Sequence, residues 1–285
     1  MSACPACGEV RHGEVPYPGA AAAAKQGFPF TGIGVCEGCG LGRAVPMPSQ
    51  ADLDRYYAAG HYWNELPAHP AASAHARNQC RHRVRHALGA LSGRLKGPVL
   101  DVGAGEGWMG DLLAPAPCDL VEPDPRQRAK AAQRLGPRAR LFDSLAQVGG
   151  GYELVFVNQV LEHVADPLGL LEQMAARLAP GGVLYVEVPH SDQRFKDDVF
   201  PHTQFFTASS LERLAERAGL RTMQSQTFGR LPQHQSRLRR LAGGLALRLG
   251  VAGSLRRLAE AGDDLLFDYT PAPQGIWLRW LGTRR

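Results

Sequence analysis

Residues Val99 to Gly107 read VLDVGAGEG, a short apolar run that passes directly into three glycines spaced two apart, Gly103, Gly105 and Gly107. Glycine supplies the left-handed backbone that a tight turn needs, and it lets backbone amides approach a ligand without interposed side chains. Where such a turn joins a strand to a helix, the amides also stand at a helix N-terminus, which suits a cofactor carrying a nucleoside. One carboxylate, Asp101, comes just before the turn, and a second, Glu122, ends the next apolar stretch, CDLVE. In an alternating strand and helix arrangement, an acid at the end of the second strand lies at the same sheet edge and can accept hydrogen bonds from ribose hydroxyls. Asp143, at the end of ARLFD, is placed to reach an adenine amine.

Outward from this stretch, apolar runs and helical patterns alternate, as expected of an α/β domain with a mostly parallel sheet covered on both faces. The strands expected are 98–102, 118–122, 139–143, 152–158 and 182–189, with two more in RTMQSQTFG and GIWLRWLG. Helical spacing is clear in PRQRAKAAQRLG and in DPLGLLEQMAARLAPGG, the second expected to stop at Gly181 and Gly182. Thr207 reads as the N-cap of another helix, and Ser49, with Asp52 three residues on, as the N-cap of a helix carrying Tyr56 and Tyr57. Residues 64–74 look like a linker and 75–95 like a surface helix carrying His82, Arg83, Arg85 and His86.

The chain has 285 residues, a formal net charge of +5 and no run of eighteen apolar residues, and its start lacks the basic-then-apolar pattern of a secretory signal. A cytoplasmic location is expected. Four of its six cysteines form two pairs, Cys4 with Cys7 and Cys36 with Cys39, each separated by two residues and followed by glycine. This is the spacing of a tetrahedral zinc site, and the turn-rich stretch 1–46 is expected to be a zinc ribbon that takes its stability from metal. Disulfides are the alternative, favoured only in an oxidising compartment. GAAAAAKQG at 19–27 is expected to be a loop insertion, and Cys80 and Cys118 to be ordinary buried thiols.

Two nucleoside cofactor classes use a glycine turn of this kind. The dinucleotide fingerprint GxGxxG fits only from Gly105, two residues later than the strand end requires; begun at Gly103, its sixth position is Trp108. DVGAGEG instead resembles the first motif of the class I S-adenosylmethionine-dependent methyltransferases. VNQVLEHVADP, LAPGGVLYVEVP and PHTQFFTASSLERLAERAGL resemble later segments of the same family. The resemblance covers 75–285 and implies a Rossmann-like, seven-stranded sheet carrying an insertion at about 230–270. It further implies that Asp101 and the glycines hold the methionine end of S-adenosylmethionine, with Asn158 and Gln159 nearby. The N-terminal segments CPACG, CEGCGLGRAVPMPSQADLDRYY and HYW resemble the zinc-ribbon head of a branch that includes sugar C-methyltransferases. In that branch the segment after the ribbon, here 47–74, folds over the cofactor domain, which would bring Tyr56, Tyr57 and Tyr62 to the site.

Methyl transfer to a hydroxyl or an acidic C–H needs a base, and histidine is suited to that near neutrality. His202 is the first candidate and His190 the second, both on segments that end at the ligand edge. Glu162 and His163 resemble the turn of ubiquinone-pathway O-methyltransferases, where a carboxylate three residues earlier completes a divalent metal site. Here that position is Gln159, a poor ligand for a hard cation, so the pair is expected to stabilise its turn. The insertion places Arg237, Arg240, Arg248, Arg256 and Arg257 among leucines at helical spacing, which would suit substrate phosphates or an anionic membrane surface. A small metabolite, such as a sugar or a natural-product intermediate, is the expected acceptor. RNA or protein is the alternative, disfavoured because the ribbon has few basic residues.

Overall fold

The computed structural model describes residues 2–59, 70–91, 95–229 and 271–285. The chain opens with antiparallel strands β1 (His12–Pro16), β2 (Gly32–Cys36) and β3 (Gly42–Val45). Between β1 and β2 lies helix α1 (Ala20–Lys25), where a loop insertion was expected. Alanine loses no side-chain entropy on helix formation, and Ala23 is fully buried beside Phe28, Phe30 and Tyr56, so this run folds into the module's core.

Helix α2 (Gln50–Ala58) begins with the expected reciprocal cap between Ser49 and Asp52. Helix α3 (Pro70–Ala90) starts inside the stretch that reads as a linker, and it is not a surface helix. Cys80, Arg83, Val84 and Ala87 are buried on the main sheet. Tyr62 and the whole insertion from 230 to 270 lie outside the described residues.

The main domain follows as β4 (Val99–Val102), α4 (Trp108–Leu112), β5 (Cys118–Val121), α5 (Pro125–Leu135), β6 (Ala139–Phe142), β7 (Tyr152–Asn158), α6 (Pro167–Arg177) and β8 (Leu178–Pro189). It ends with β9 (Gln204–Phe205), α7 (Ala208–Arg217), β10 (Leu220–Phe228) and β11 (Trp277–Arg284). Seven strands form one sheet in the order β10-β11-β8-β7-β4-β5-β6. Strands β4 to β8 pair in parallel, and β11 runs antiparallel to both neighbours. Parallel strands covered on both faces need side chains that are apolar on both, which is why VLDV and YELVFVN show no alternation. Helix α6 stops at Arg177 and not at Gly181, because Leu178 already pairs with Tyr152; the chain then bulges at Gly181, φ 75°, before the ladder resumes at Val183.

Strand β9 belongs to the other sheet. It pairs with β3, which makes the N-terminal sheet four-stranded in the order β1-β2-β3-β9. The ribbon is also continuous with the main core: Cys4, Cys36, Cys39 and Leu41 pack in one cluster with Phe206, Leu211 and Leu214.

One charged group lies in the middle of the sheet. Glu187 on β8 is 1% exposed and receives Arg83 Nε from α3 at 2.7 Å and Arg279 Nε from β11 at 2.6 Å. Burial works against its charge, but the two guanidinium groups outweigh burial and hold the carboxyl at about 2. Glu187→Gln leaves two buried cations without their anion and should destabilise the fold by about 3–5 kcal/mol in denaturant unfolding. The folded carboxyl titrates below its ordinary 4.5, so the stability it provides should be intact above that pH and lost as pH falls toward 2.

Candidate active site

The order of strands reverses at β4, with β5 and β6 on one side and β7 and β8 on the other. A ligand crevice opens where such a reversal occurs, beyond the carboxyl ends of the central strands. The glycine turn follows β4 at this reversal. Gly103, Gly105 and Gly107 adopt φ of 72°, 53° and 76°, all in the left-handed region. A side chain at Gly103 would overlap Val160, which follows β7. A Cβ at Gly107 would lie 3.0 Å from Leu135, 3.1 Å from Ala131 and 3.2 Å from Leu120, so this glycine lets α4 start against α5 and β5. The amides of Gly103 and Ala104 both donate to Val121 O, at 2.8 and 3.1 Å, which hangs the turn on β5.

Glu122 holds the turn from the other side. Its Oε2 accepts from Gly105 N at 2.8 Å and its Oε1 from Asp124 N at 2.9 Å. Asp101 is 1% exposed and its Oδ2 has no hydrogen-bond partner among the described residues. Burial, reinforced by the nearby Glu122, pushes the Asp101 carboxyl up to about 7. Asn158 Oδ1, at the end of β7, is likewise buried and unpartnered among the described residues. Gln159 takes φ 54°, with its amide on Glu187 O at 2.9 Å and its side-chain nitrogen 3.5 Å from Glu187 Oε1. Asp143 is exposed just past β6, its amide on Gln147 Oε1 at 3.3 Å.

A second group of side chains gathers over the ends of β7 and β8. The turn Leu161–His163 buries Glu162, and neither carboxylate oxygen of Glu162 accepts a hydrogen bond among the described residues. His163 Nδ1 lies 2.7 Å from the hydroxyl of Tyr57, which ties α2 to this turn. Burial pushes Glu162 well above the carboxylate range and His163 well below the imidazole range. The His202 ring meets the His163 ring edge-on at 4.8 Å between centres. Glu162, His163 and His202 therefore converge. His190 is held elsewhere, its Nδ1 2.9 Å from Gly275 O ahead of β11.

Sequence reasoning missed Asp192 and Lys196. Asp192 is 1% exposed, and its Oδ2 lies 3.0 Å from His202 Nδ1 and 2.8 Å from Lys196 Nζ. The four-residue spacing of Asp192 and Lys196 was visible in HSDQRFKDD, but the pairing with His202 joins segments ten residues apart across a turn.

At the ribbon, the cysteines of both pairs come together. Cys4 Sγ is 3.6 Å from Cys39 Sγ, Cys7 Sγ is 3.5 Å from Cys36 Sγ, and all four sulfurs lie within 4.8 Å of one another. None is disulfide-bonded. Tetrahedral zinc, with Zn–S near ~2.3 Å, needs sulfurs spaced as these are.

The methyltransferase-domain family model matches residues 73–225, more than half of the chain. The chain belongs to the methyltransferase-domain family. It is 32% identical over 148 residues to a ubiquinone biosynthesis O-methyltransferase of Bordetella avium, covering 48% of this chain and 59% of that one. To the enzyme of the same name from Xanthomonas campestris it is 30% identical over 148 residues, covering 48% and 60%. The matched region thus spans about three fifths of the curated relatives. A solved S-adenosylmethionine-dependent methyltransferase from Leishmania major superposes with a TM-score of 0.52 at 18% identity, over 79% of this chain and 80% of that one. One from Thermotoga maritima, described as a possible histamine N-methyltransferase, gives 0.51 at 17% identity over 82% and 98%. At such identities the two structures attest the fold.

Gly103→Ala should lower stability by more than about 1 kcal/mol, because alanine strains a positive φ and its methyl meets Val160. In a double-mutant cycle read by denaturant unfolding, Val160→Ala should recover the steric part and show a favourable coupling of at least about 0.5 kcal/mol.

Proposed function

We propose that this chain transfers the methyl group of S-adenosylmethionine to a small metabolite bearing a hydroxyl or an acidic C–H, such as a sugar or a natural-product intermediate, with His202 as general base. The observation that carries the reading is that the glycine-turn crevice and the His202 cluster stand over adjoining strand ends of one sheet, β4, β7 and β8. Bound there, S-adenosylmethionine would supply a methyl carbon activated by positive sulfur and leave as a neutral thioether. The chain's own residues align and deprotonate the acceptor. Glu122 would take the ribose hydroxyls on its outward lone pairs. Asp101 and Asn158, whose unpartnered oxygens are buried beside the turn, would meet the ammonium of the methionine end, with Gln159 near them and Asp143 toward the adenine.

His202 is preferred over His190 because His190 already serves the Gly275 carbonyl, and burial pushes its pKa below the ordinary range. The acceptor's proton would pass to His202 as its oxygen or carbon takes the methyl group. A small acceptor is favoured because the buried Glu162 and His163, with Tyr57 bonded to His163, crowd the space beside His202. No helix among the described residues is long and apolar enough to cross a membrane. The arginine-rich insertion, proposed to contact a substrate phosphate or a membrane surface, lies outside the described residues.

We further propose that Cys4, Cys7, Cys36 and Cys39 hold one structural zinc ion. The sulfur spacing and the burial of Cys4, Cys36 and Cys39 support this, and the metal would tie the two cysteine pairs together. Elemental analysis should find one zinc per chain, and Cys36→Ser should lose the metal and lower the melting temperature.

S-Adenosylhomocysteine should raise the melting temperature by mass action, whereas NAD should not; a response to NAD alone overturns the reading. Glu122→Ala should remove the S-adenosylhomocysteine response. Since Asp101 must ionise to face an ammonium, affinity should rise with pH up to about 7 and then level off. Below 7 the slope should approach tenfold per pH unit in calorimetry, and Asp101→Asn should abolish it.

A further inference from the structure

We infer that Cys7 is a thiol–disulfide exchange site: it attacks a small anionic disulfide drawn in by Arg213, and Cys36 resolves the product into a Cys7–Cys36 bond that discharges the ribbon metal. The discharge rests on the zinc reading above; the choice of Cys7 and Arg213 does not.

The four clustered cysteines differ in access. Cys4, Cys36 and Cys39 are 1%, 2% and 6% exposed, whereas Cys7 is only part-buried. Gly8 takes φ 78° and its amide returns to Cys4 O at 2.8 Å, closing the turn that carries Cys7. Beside this turn lies a cavity of about 370 Å³, lined by Ala6, Cys7 and Gly8 from the ribbon and by Arg213, Glu216 and Arg217 from α7.

The lining of this cavity carries net positive charge. Arg213 is exposed and makes no ion pair among the described residues. Arg217 donates its Nη1 to Pro5 O at 2.7 Å, which ties the cysteine turn to α7 without cancelling the guanidinium charge. The acid among the lining residues, Glu216, has its Oε1 on Arg285 Nη2 at 2.5 Å. A partly exposed cysteine in electropositive surroundings is the reactive kind, and a metal-ligating cysteine is held as the thiolate, which is the nucleophile.

Geometry also selects the resolving thiol. Cys7 Sγ stands 3.5 Å from Cys36 Sγ, so each sulfur moves by less than about 1 Å to reach disulfide bonding distance. Cys4 and Cys39 lie 3.6 Å apart, equally close, but both are buried and neither lines the cavity. In the first step the Cys7 thiolate attacks one sulfur of the disulfide RS–SR; the Cys7–SR bond forms, the S–S bond breaks and RS− leaves. The Cys36 thiolate then attacks the Cys7 sulfur, and the second RS− leaves. Two cysteine thiolates give up two electrons, the small disulfide takes them, and no proton is transferred. The metal, left with two thiolates, departs as Zn2+. Cys39 O accepts the Thr207 hydroxyl at 2.9 Å, so the discharge takes place beside the segment that carries His202.

The test treats the reduced, full-length protein as purified with glutathione disulfide, reading released metal with a chromophoric chelator and modified cysteines by peptide mass mapping. Glutathione should appear first on Cys7, the Cys7–Cys36 cross-link should follow as zinc is released, and dithiothreitol with added zinc should reverse both. Arg213→Ala should slow the reaction with glutathione disulfide roughly fivefold at low salt, and should not slow that with the cationic disulfide cystamine. No reaction, or glutathione on Cys4, Cys36, Cys39, Cys80 or Cys118 ahead of Cys7, overturns the inference. Unchanged rates in Arg213→Ala also overturn it, as does a Cys7 mixed disulfide that persists with the metal retained. A protein purified without zinc overturns the zinc reading instead, and in that protein the order of cysteine modification still decides for or against Cys7.

Discussion

The segment from Pro201 to Thr207 is bonded to both sheets at once, and the rest of the site depends on that double attachment. Gln204 and Phe205 pair with β3 of the ribbon sheet, while Phe206 bridges to His190 at the end of β8. The Thr207 hydroxyl then donates to Cys39 O at 2.9 Å, at the cysteine cluster itself, while Thr207 also caps α7. His202 sits at the head of this segment. Its position is thereby set jointly by the parallel sheet that forms the crevice and by the ribbon that the cysteines close.

A module at one end of the chain is thereby tied to strand ends of another sheet. The ribbon does not project as a separate head. Its cysteines share one hydrophobic cluster with α7 and the sheet, and its second cluster, with Tyr17, Phe28, Phe30 and Tyr56, packs under Val199 and Phe205. Tyr56 and Tyr57 divide the work of α2: the first joins that aromatic core, and the second reaches His163. A helix that reads as a Tyr-rich flap is thus pinned on one side by packing and on the other by a polar contact to the turn after β7.

Beneath the crevice, charge is managed by two different means. Glu187 is kept ionised by two arginines from elements that flank its strand, an arrangement that couples α3 and β11 to β8. Asp101, two strands further in on β4, has no such partner and is pushed toward neutrality. Buried polar groups in a well-packed fold are nearly always hydrogen-bonded, so those left without a partner stand out. Asp101, Asn158 and Glu162 are of this kind among the described residues, on β4, at the end of β7 and in the turn after it.

The sequence by itself determined the local features: the glycine turn between β4 and α4, the caps at Ser49 and Thr207, the main strands and the two cysteine pairs. Each is set by interactions among residues close in the chain, where propensity, capping and backbone freedom decide the outcome. It misjudged GAAAAAKQG, the start of α3 and the end of α6, because there long-range packing or strand pairing won over local signals. The polyalanine stretch became a helix by burying Ala23, and Leu178 left its helix to pair with Tyr152. Only the tertiary structure could decide that Arg83 faces Glu187 across 104 positions, that Tyr57 meets His163 across 106, or that Asp192 reaches His202 around a reversed turn. Such pairings depend on the order and twist of strands, and periodicity along one chain carries no information about which loop ends lie side by side.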